Sequence, residues 1–288
     1  MSSLKSVDLL QPALRDTLHL PQQALYYRVY RPSRAPSRRL LLLHGGGVAG
    51  AITWGGILPH LARWHEILVP DLRGAGKTHY PDRREHDFTI EEVVGDIAAL
   101  LDHLGWNAFD LGGYSFGGLA AMLLKAARPA SVGDTFLLEP ALFGKLNDSE
   151  AIASRELMRH AARRLRHLEH VDAGLELFLD AIAPNRTRGS KNEDIVRGRL
   201  AHRPAGLACA IECVFEASQR LDRQALAAAQ AQVGAFIGGR SHPEGYALCQ
   251  SFAAQYDGWQ CHLIAGADHA LPFQKPEIIA EIMNRVRD

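Results

Sequence analysis

The chain lacks several features that would settle its class at once. It carries no net charge, 32 basic residues balancing 32 acidic ones, so neither a nucleic acid nor an acidic membrane surface is an expected partner. Cysteine is scarce, with four in 288 residues. Cys209 and Cys213 stand one helical turn apart, and no further Cys or His completes a metal spacing around them. Together with Cys249 and Cys261 they are expected to be buried, reduced thiols, since a chain this long needs no disulfide framework. No apolar run is long enough to span a bilayer. Met1 to Leu20 mixes Lys5, Asp8, Arg15 and Asp16 among its leucines. That leaves no uninterrupted apolar segment for export, and a cytoplasmic protein is expected, provided no leader has already been removed. Internal repeats and low-complexity tracts are missing too. What is present is ordinary for a globular protein: 47% apolar and 22% charged residues, enough to bury the full core of one α/β domain.

Strand and helix patterns alternate along most of the chain. Residues 18–30 resemble a hairpin arm, with Tyr26, Arg28 and Tyr30 alternating against Leu25, Tyr27 and Val29. Arg39 to Leu43 is a continuous apolar run, as in a strand buried on both faces. Ile57 to Trp64 has helical apolar spacing, and His65 to Pro70 is the next strand. Thr89 to Leu104 reads as an amphipathic helix whose Thr89 and Glu92 suit a capping box. A strand over 108–112, a helix over 118–127 closed by Pro129, and a strand from Val132 to Leu138 follow. This rhythm implies a doubly wound, mostly parallel sheet.

From Leu142 to about Ala227 only helical patterns occur, including Ser149 to His170 and Ala173 to Ala183. Alternation then resumes with 232–238, helix 244–255, strand 259–265 and helix 276–287. Residues 1–141 and 228–288 are therefore expected to form the core, and 142–227 a helical cap. The cap is rich in Arg155, Arg159, Arg163, Arg164, Arg166, His160, His167 and His170. A solvated face paired with Glu156 and Glu169 accounts for them. The other reading is that one or two arginines meet an anionic substrate tail.

Chemistry concentrates at Gly113-Tyr114-Ser115-Phe116-Gly117. A Gly-x-Ser-x-Gly pentapeptide between a strand and a helix is a nucleophile elbow. The serine takes up strained backbone, and its neighbours must be glycine because other backbone passes too close for a Cβ. The hydroxyl is exposed beside a helix N-terminus, where developing negative charge is stabilised.

Four stretches in order, His44 to Gly47, Asp71 to Gly76, Gly113 to Gly117 and Gly266 to His269, resemble the α/β-hydrolase superfamily over nearly the whole chain. The resemblance implies Ser115 as nucleophile and His269 as base, with the acid between them in the chain. It implies an oxyanion hole from the N–H groups of Gly46 and Phe116, with His44 propping the loop. Most members carry an aspartate after the strand that here is 232–238, yet residues 239–243 contain no carboxylate. The other family position follows the preceding strand, where Glu139 stands, as in zearalenone-type lactonases and some haloalkane dehalogenases. Glu139 is taken as the acid, with Glu244 second and a degenerate site third. Asp71, Arg73 and Asp268 are left out of the chemistry.

These residues imply a serine hydrolase acting on a carboxylic ester or lactone through an acyl-enzyme. A proline-releasing aminopeptidase or a C–C bond hydrolase is the alternative enzyme. A ligand-binding receptor with a near-idle triad is the alternative outside enzymes. The expected partner is a small-molecule substrate; no metal or organic cofactor is implied, and oligomeric state is left open.

Overall fold

A computed structural model describes residues 10–32, 38–141 and 148–285. Eight strands form one sheet: β1 (Leu14–His19), β2 (Ala24–Tyr30), β3 (Arg39–Leu43), β4 (Glu66–Pro70), β5 (Phe109–Tyr114), β6 (Val132–Leu138), β7 (Val233–Gly238) and β8 (Trp259–Ile264). Their order is β1-β2-β4-β3-β5-β6-β7-β8. β1 and β2 form an antiparallel hairpin, β2 meets β4 antiparallel, and every later pairing is parallel. The doubly wound, mostly parallel sheet expected from the alternation is therefore present.

The central strands bury both faces, and the twofold period of a strand sorts their side chains between two cores. Leu41 and Leu43 of β3 join one cluster while Leu40 and Leu42 join the other, all four with no exposed surface. β7 divides likewise, with Val233, Ala235 and Ile237 on one side and Phe236 on the other. Each such leucine or phenylalanine contributes about 1.5–3 kcal/mol through burial.

Two long helices flank the first face, α2 (Ile90–Leu104) and α3 (Phe116–Ala127), preceded in the chain by the short α1 (Gly50–Trp54). The capping box of α2 forms: Thr89 Oγ1 accepts from the Glu92 N–H at 3.2 Å, and Glu92 Oε2 accepts from the Thr89 N–H at 2.8 Å. Ile57 to Trp64 departs from the helical reading, since only Leu58–His60 makes a 3-10 turn. Pro59 offers no N–H to a continuing helix and Leu61 is extended. The apolar spacing there reports burial, with Ile57, Leu58, Leu61 and Trp64 all in the core.

Between β6 and β7 come α4 (Asp148–Leu165), α5 (Val171–Ile182), α6 (Lys191–Leu200), α7 (Pro204–Arg220) and α8 (Arg223–Ala228). The single helix read over Ser149 to His170 ends at Leu165 and is followed by a 3-10 turn over Leu168–His170. Leu165, Leu175, Phe178, Leu179, Leu207 and Ile211 pack a third core among these helices, joined by Val48. Leu226 and Ala227 of α8 instead join the sheet's main core, and α8 packs on α3. The chain closes with α9 (Pro243–Gln255), α10 (Leu271–Gln274) and α11 (Pro276–Met283).

The cysteine expectation needs correction. Cys209 and Cys213 are free and buried, but Cys249 and Cys261 form a disulfide, with Cα atoms 5.9 Å apart. α9 packs along β8, and that contact juxtaposes two residues whose sequence spacing carries no such signal. Burial pushes the Cys209 thiol up to about 12 and raises Cys213 as well, so neither supplies a thiolate near neutral pH.

Candidate active site

Ser115 occupies the turn between β5 and α3 with φ 52° and ψ −116°, a conformation that costs a non-glycine residue energy. The surrounding backbone over-determines it. Its carbonyl accepts N–H groups from Gly118 at 2.9 Å, Leu119 at 3.2 Å and Ala141 at 3.0 Å, and its N–H donates to Leu138 at 3.0 Å. A Cβ at Gly117 would overlap the carbonyl oxygens of Leu43 and His44, and one at Gly113 the carbonyl of Gly117. The elbow therefore needs both glycines for close approach.

His269 comes from the turn between β8 and α10. Its Nε2 lies 3.2 Å from Ser115 Oγ, and its Nδ1 lies 2.7 Å from Glu139 Oε2. A carboxylate only accepts, so Nδ1 carries the proton and Nε2 presents its lone pair to the hydroxyl. Tyr114 braces the turn by donating its hydroxyl to the His269 carbonyl at 2.8 Å. Burial, then the charge of Glu139, holds the Tyr114 phenol well above its ordinary pKa, so it remains a donor.

Glu139 directly follows β6 in the left-handed region, φ 42°, with its N–H on the Phe236 carbonyl of β7 at 3.0 Å. That twist turns the side chain toward the end of β7. There Oε1 accepts from the Gly238 N–H at 2.7 Å and from Ser241 Oγ at 2.5 Å. Both carboxylate oxygens of this mostly buried side chain are thus hydrogen-bonded, as burial of a charge demands. The chain Ser115–His269–Glu139 is assembled from the three residues singled out in the sequence. Glu244 stands in the first turn of α9, 3.9 Å from His242, while Nδ1 of His269 is taken by Glu139. Ser241 escaped the sequence reading. Its only signal is a hydroxyl in the segment after β7, where a carboxylate was sought.

Gly46 and Phe116 line the same cavity as Ser115 and His269. Phe116 opens α3, whose first N–H groups have no intrahelical partner. His44 is fully buried and points elsewhere: its Nε2 accepts the Leu72 N–H at 2.7 Å, so Nδ1 carries the proton it donates to the Gly45 carbonyl at 2.7 Å. Both nitrogens are used by loop backbone.

Asp71 accepts from the N–H groups of Gly50 and Lys77 and from Arg28. Arg73 is bidentate to Asp96 at 2.6 and 3.0 Å. Neither lines the cavity at Ser115. Asp268 caps its own turn through the Ala270 N–H, Gln274 and Arg240. Among the arginines of the inserted helices, Arg159 pairs with Glu156 and covers Phe215, Arg166 pairs with Asp87, and Arg163 and Arg164 are exposed. His160, His167 and His170 are exposed as well. The side chain of Arg155 lies outside the described residues.

The cavity encloses about 180 Å³. Its walls are apolar, chiefly Met158, Phe178, Ile182, Leu207, Ile211 and Val214 from α4, α5 and α7. Glu139 is the one carboxylate among its described lining residues. Among the described residues no cluster of three or more His, Cys, Asp or Glu could hold a metal, and no helix is long and apolar enough to cross a membrane.

This sheet order, with a serine at the apex of the β5–α3 turn and helices inserted after β6, is the α/β-hydrolase fold. The family described as alpha/beta hydrolase fold matches residues 38–168, which span β3 to the start of the inserted helices. Lipase LipV of Mycobacterium tuberculosis is 39% identical over 118 residues, covering 41% of this chain and 42% of the lipase. The 2-hydroxy-6-oxo-2,4-heptadienoate hydrolase of Pseudomonas putida is 32% identical over 95 residues, 32% of this chain and 34% of its own. The chain thus spans less than half the length of these curated relatives. A thermophilic esterase from Thermogutta terrifontis superposes with a TM-score of 0.72 at 21% identity, covering 94% of this chain and 97% of the esterase.

Proposed function

We propose that the chain is a serine hydrolase cleaving a small carboxylic ester or lactone through an acyl-enzyme on Ser115. The observation that carries this reading is the hydrogen-bonded chain from Ser115 Oγ through His269 to Glu139. In this mechanism His269 Nε2 takes the hydroxyl proton as Oγ bonds to the substrate carbonyl carbon, and the carbonyl π pair moves onto oxygen. The N–H groups of Gly46 and Phe116 hold that oxyanion. Collapse breaks the C–O bond, and the leaving alkoxide takes the proton from the imidazolium. Water, deprotonated by the same nitrogen, then releases the acid and restores Ser115. Glu139 keeps Nδ1 protonated and stabilises the imidazolium, and Ser241 with the Gly238 N–H positions Glu139.

Helices α4, α5 and α7 act as a cap in this reading, because they supply the apolar walls. A space of about 180 Å³ suits a group somewhat larger than benzene, which a dry cavity of about 150 Å³ accepts. Short acyl chains and small rings are the preferred substrates. Among its described residues the lining offers no free carboxylate for an N-terminal ammonium, which disfavours the aminopeptidase alternative.

Fluorophosphonate labelling of Ser115, combined with turnover of p-nitrophenyl acetate, butyrate and palmitate, tests the proposal. Labelling with fast butyrate and negligible palmitate turnover is expected. Labelling without turnover of any ester would favour a receptor on a hydrolase fold, and activity confined to vinylogous diketones would favour C–C hydrolysis.

A further inference from the structure

A second cavity, about 360 Å³, lies between α6, α10 and the loops after α5 and β7. It shares no lining residue with the cavity at Ser115. Three guanidinium groups line it against two carboxylates, Glu193 and Asp268. Two of those cations are compensated. Arg186 binds Asp180, Glu193 and Glu176 at 2.6, 2.6 and 2.7 Å. Arg240 binds Asp268 and Thr187, each at 3.2 Å. Arg199, on α6, differs. Its guanidinium carbon sits 5.0 Å from the Phe273 ring centroid, and among the described residues it has no carboxylate partner.

A half-buried guanidinium with five donors that, among the described residues, meets an aromatic face and no carboxylate is unfavourable on its own. Burial alone draws its pKa below the ordinary arginine value, which marks the same missing anion. Leu179, Ala183, Ile195, Val196 and Phe273 give the wall an apolar part, and Thr187, Ser190 and Gln274 add neutral polar groups. Sequence patterning did not point here, because the arginines it emphasised lie earlier, at 155–166.

We propose that this second cavity binds a small aliphatic monocarboxylate, its head group on Arg199 and its tail against Leu179, Ile195 and Val196. A single negative charge matches the site, because of the three lining guanidinium groups only Arg199 lacks a carboxylate partner among the described residues. A dianion such as phosphate would leave excess negative charge beside Glu193 and Asp268. The apolar wall selects a tail over a bare acetate-sized ion. This site is independent of the ester reading and stands whether or not Ser115 turns over a substrate.

Calorimetric titration of the whole chain carrying Ser115→Ala with hexanoate, acetate and 1-hexanol tests the site, alongside the same protein carrying Arg199→Met. Saturable hexanoate binding is expected below about 10 mM, weakened about tenfold or more by Arg199→Met. Acetate and hexanol should each bind less well than hexanoate. The ligand-free Arg199→Met protein should melt no lower than its parent, because it removes a desolvated, uncompensated charge. Equal hexanoate binding with and without Arg199, acetate binding as tightly as hexanoate, or no saturable binding would each overturn the site. A lower ligand-free melting temperature in Arg199→Met would assign the arginine to structure and overturn it too.

Discussion

His44 and His269 are two buried imidazoles in loops that follow parallel strands, and both use both ring nitrogens. The partners separate them. His44 bridges the backbone of Gly45 and Leu72, groups that neither ionise nor react near neutral pH. His269 bridges a carboxylate and a hydroxyl, so its proton has both a source and a counter-charge. Desolvation, the largest influence on His44, lowers its pKa below the ordinary value near 6.5 and keeps it neutral. Burial of a histidine therefore says little about chemistry; what its two nitrogens face says most.

If that contrast is right, mutations along the second imidazole's hydrogen-bond chain should dominate activity, and those at the first should register in stability. The largest effect belongs to His269→Ala, on the order of 10⁶ in kcat, measured with a chromogenic short-chain ester. Glu139→Ala should follow with about 10³- to 10⁴-fold, while Glu244→Ala stays near the parent. The reverse ranking would move the acid to α9. Ser241→Ala removes one of the two donors on Glu139 Oε1 and should lower kcat by roughly 10- to 100-fold, with KM little changed. Because Ser241 and Glu139 touch, Ser241→Asp in a Glu139→Gln background should regain part of the lost activity; no recovery at all would show that the β7 turn cannot aim a carboxylate at His269.

The smallest effect is one of pH. His44 is neutral in the folded and unfolded chains above about pH 6.5. Below that value the unfolded chain takes up a proton that the folded site, with its lowered pKa, refuses. The unfolded chain then binds more protons than the native state, so stability is lost as pH falls below that value, by at most about 1.4 kcal/mol per unit. Urea unfolding at pH 7 and pH 5 should show this slope reduced in His44→Gln. An unchanged slope would remove His44 from the account.

How much of this could be read in advance varies from residue to residue. Ser115 was legible because an elbow needs glycines at fixed neighbours, and His269 because the resemblance places the base just after the last strand. Glu139 was legible only through the resemblance, which offers the end of the preceding strand for the acid once 239–243 is found to hold no carboxylate. Ser241 was not, since a serine's meaning depends on the carboxylate 102 residues earlier that it faces. Nor was the Cys249–Cys261 bond, which depends on how α9 lies along β8.

The amino-acid sequence by itself determined the alternation of strands and helices, the two-faced burial of the central strands and the serine turn. Each follows from local periodicity, capping or backbone sterics. Only the tertiary structure decided which acid meets His269, what holds that acid, and that Arg199 has no carboxylate partner among the described residues. Those outcomes are set by distances between residues far apart in the chain. Parallel register brings the end of β6 beside the end of β7, and no local rule encodes that proximity.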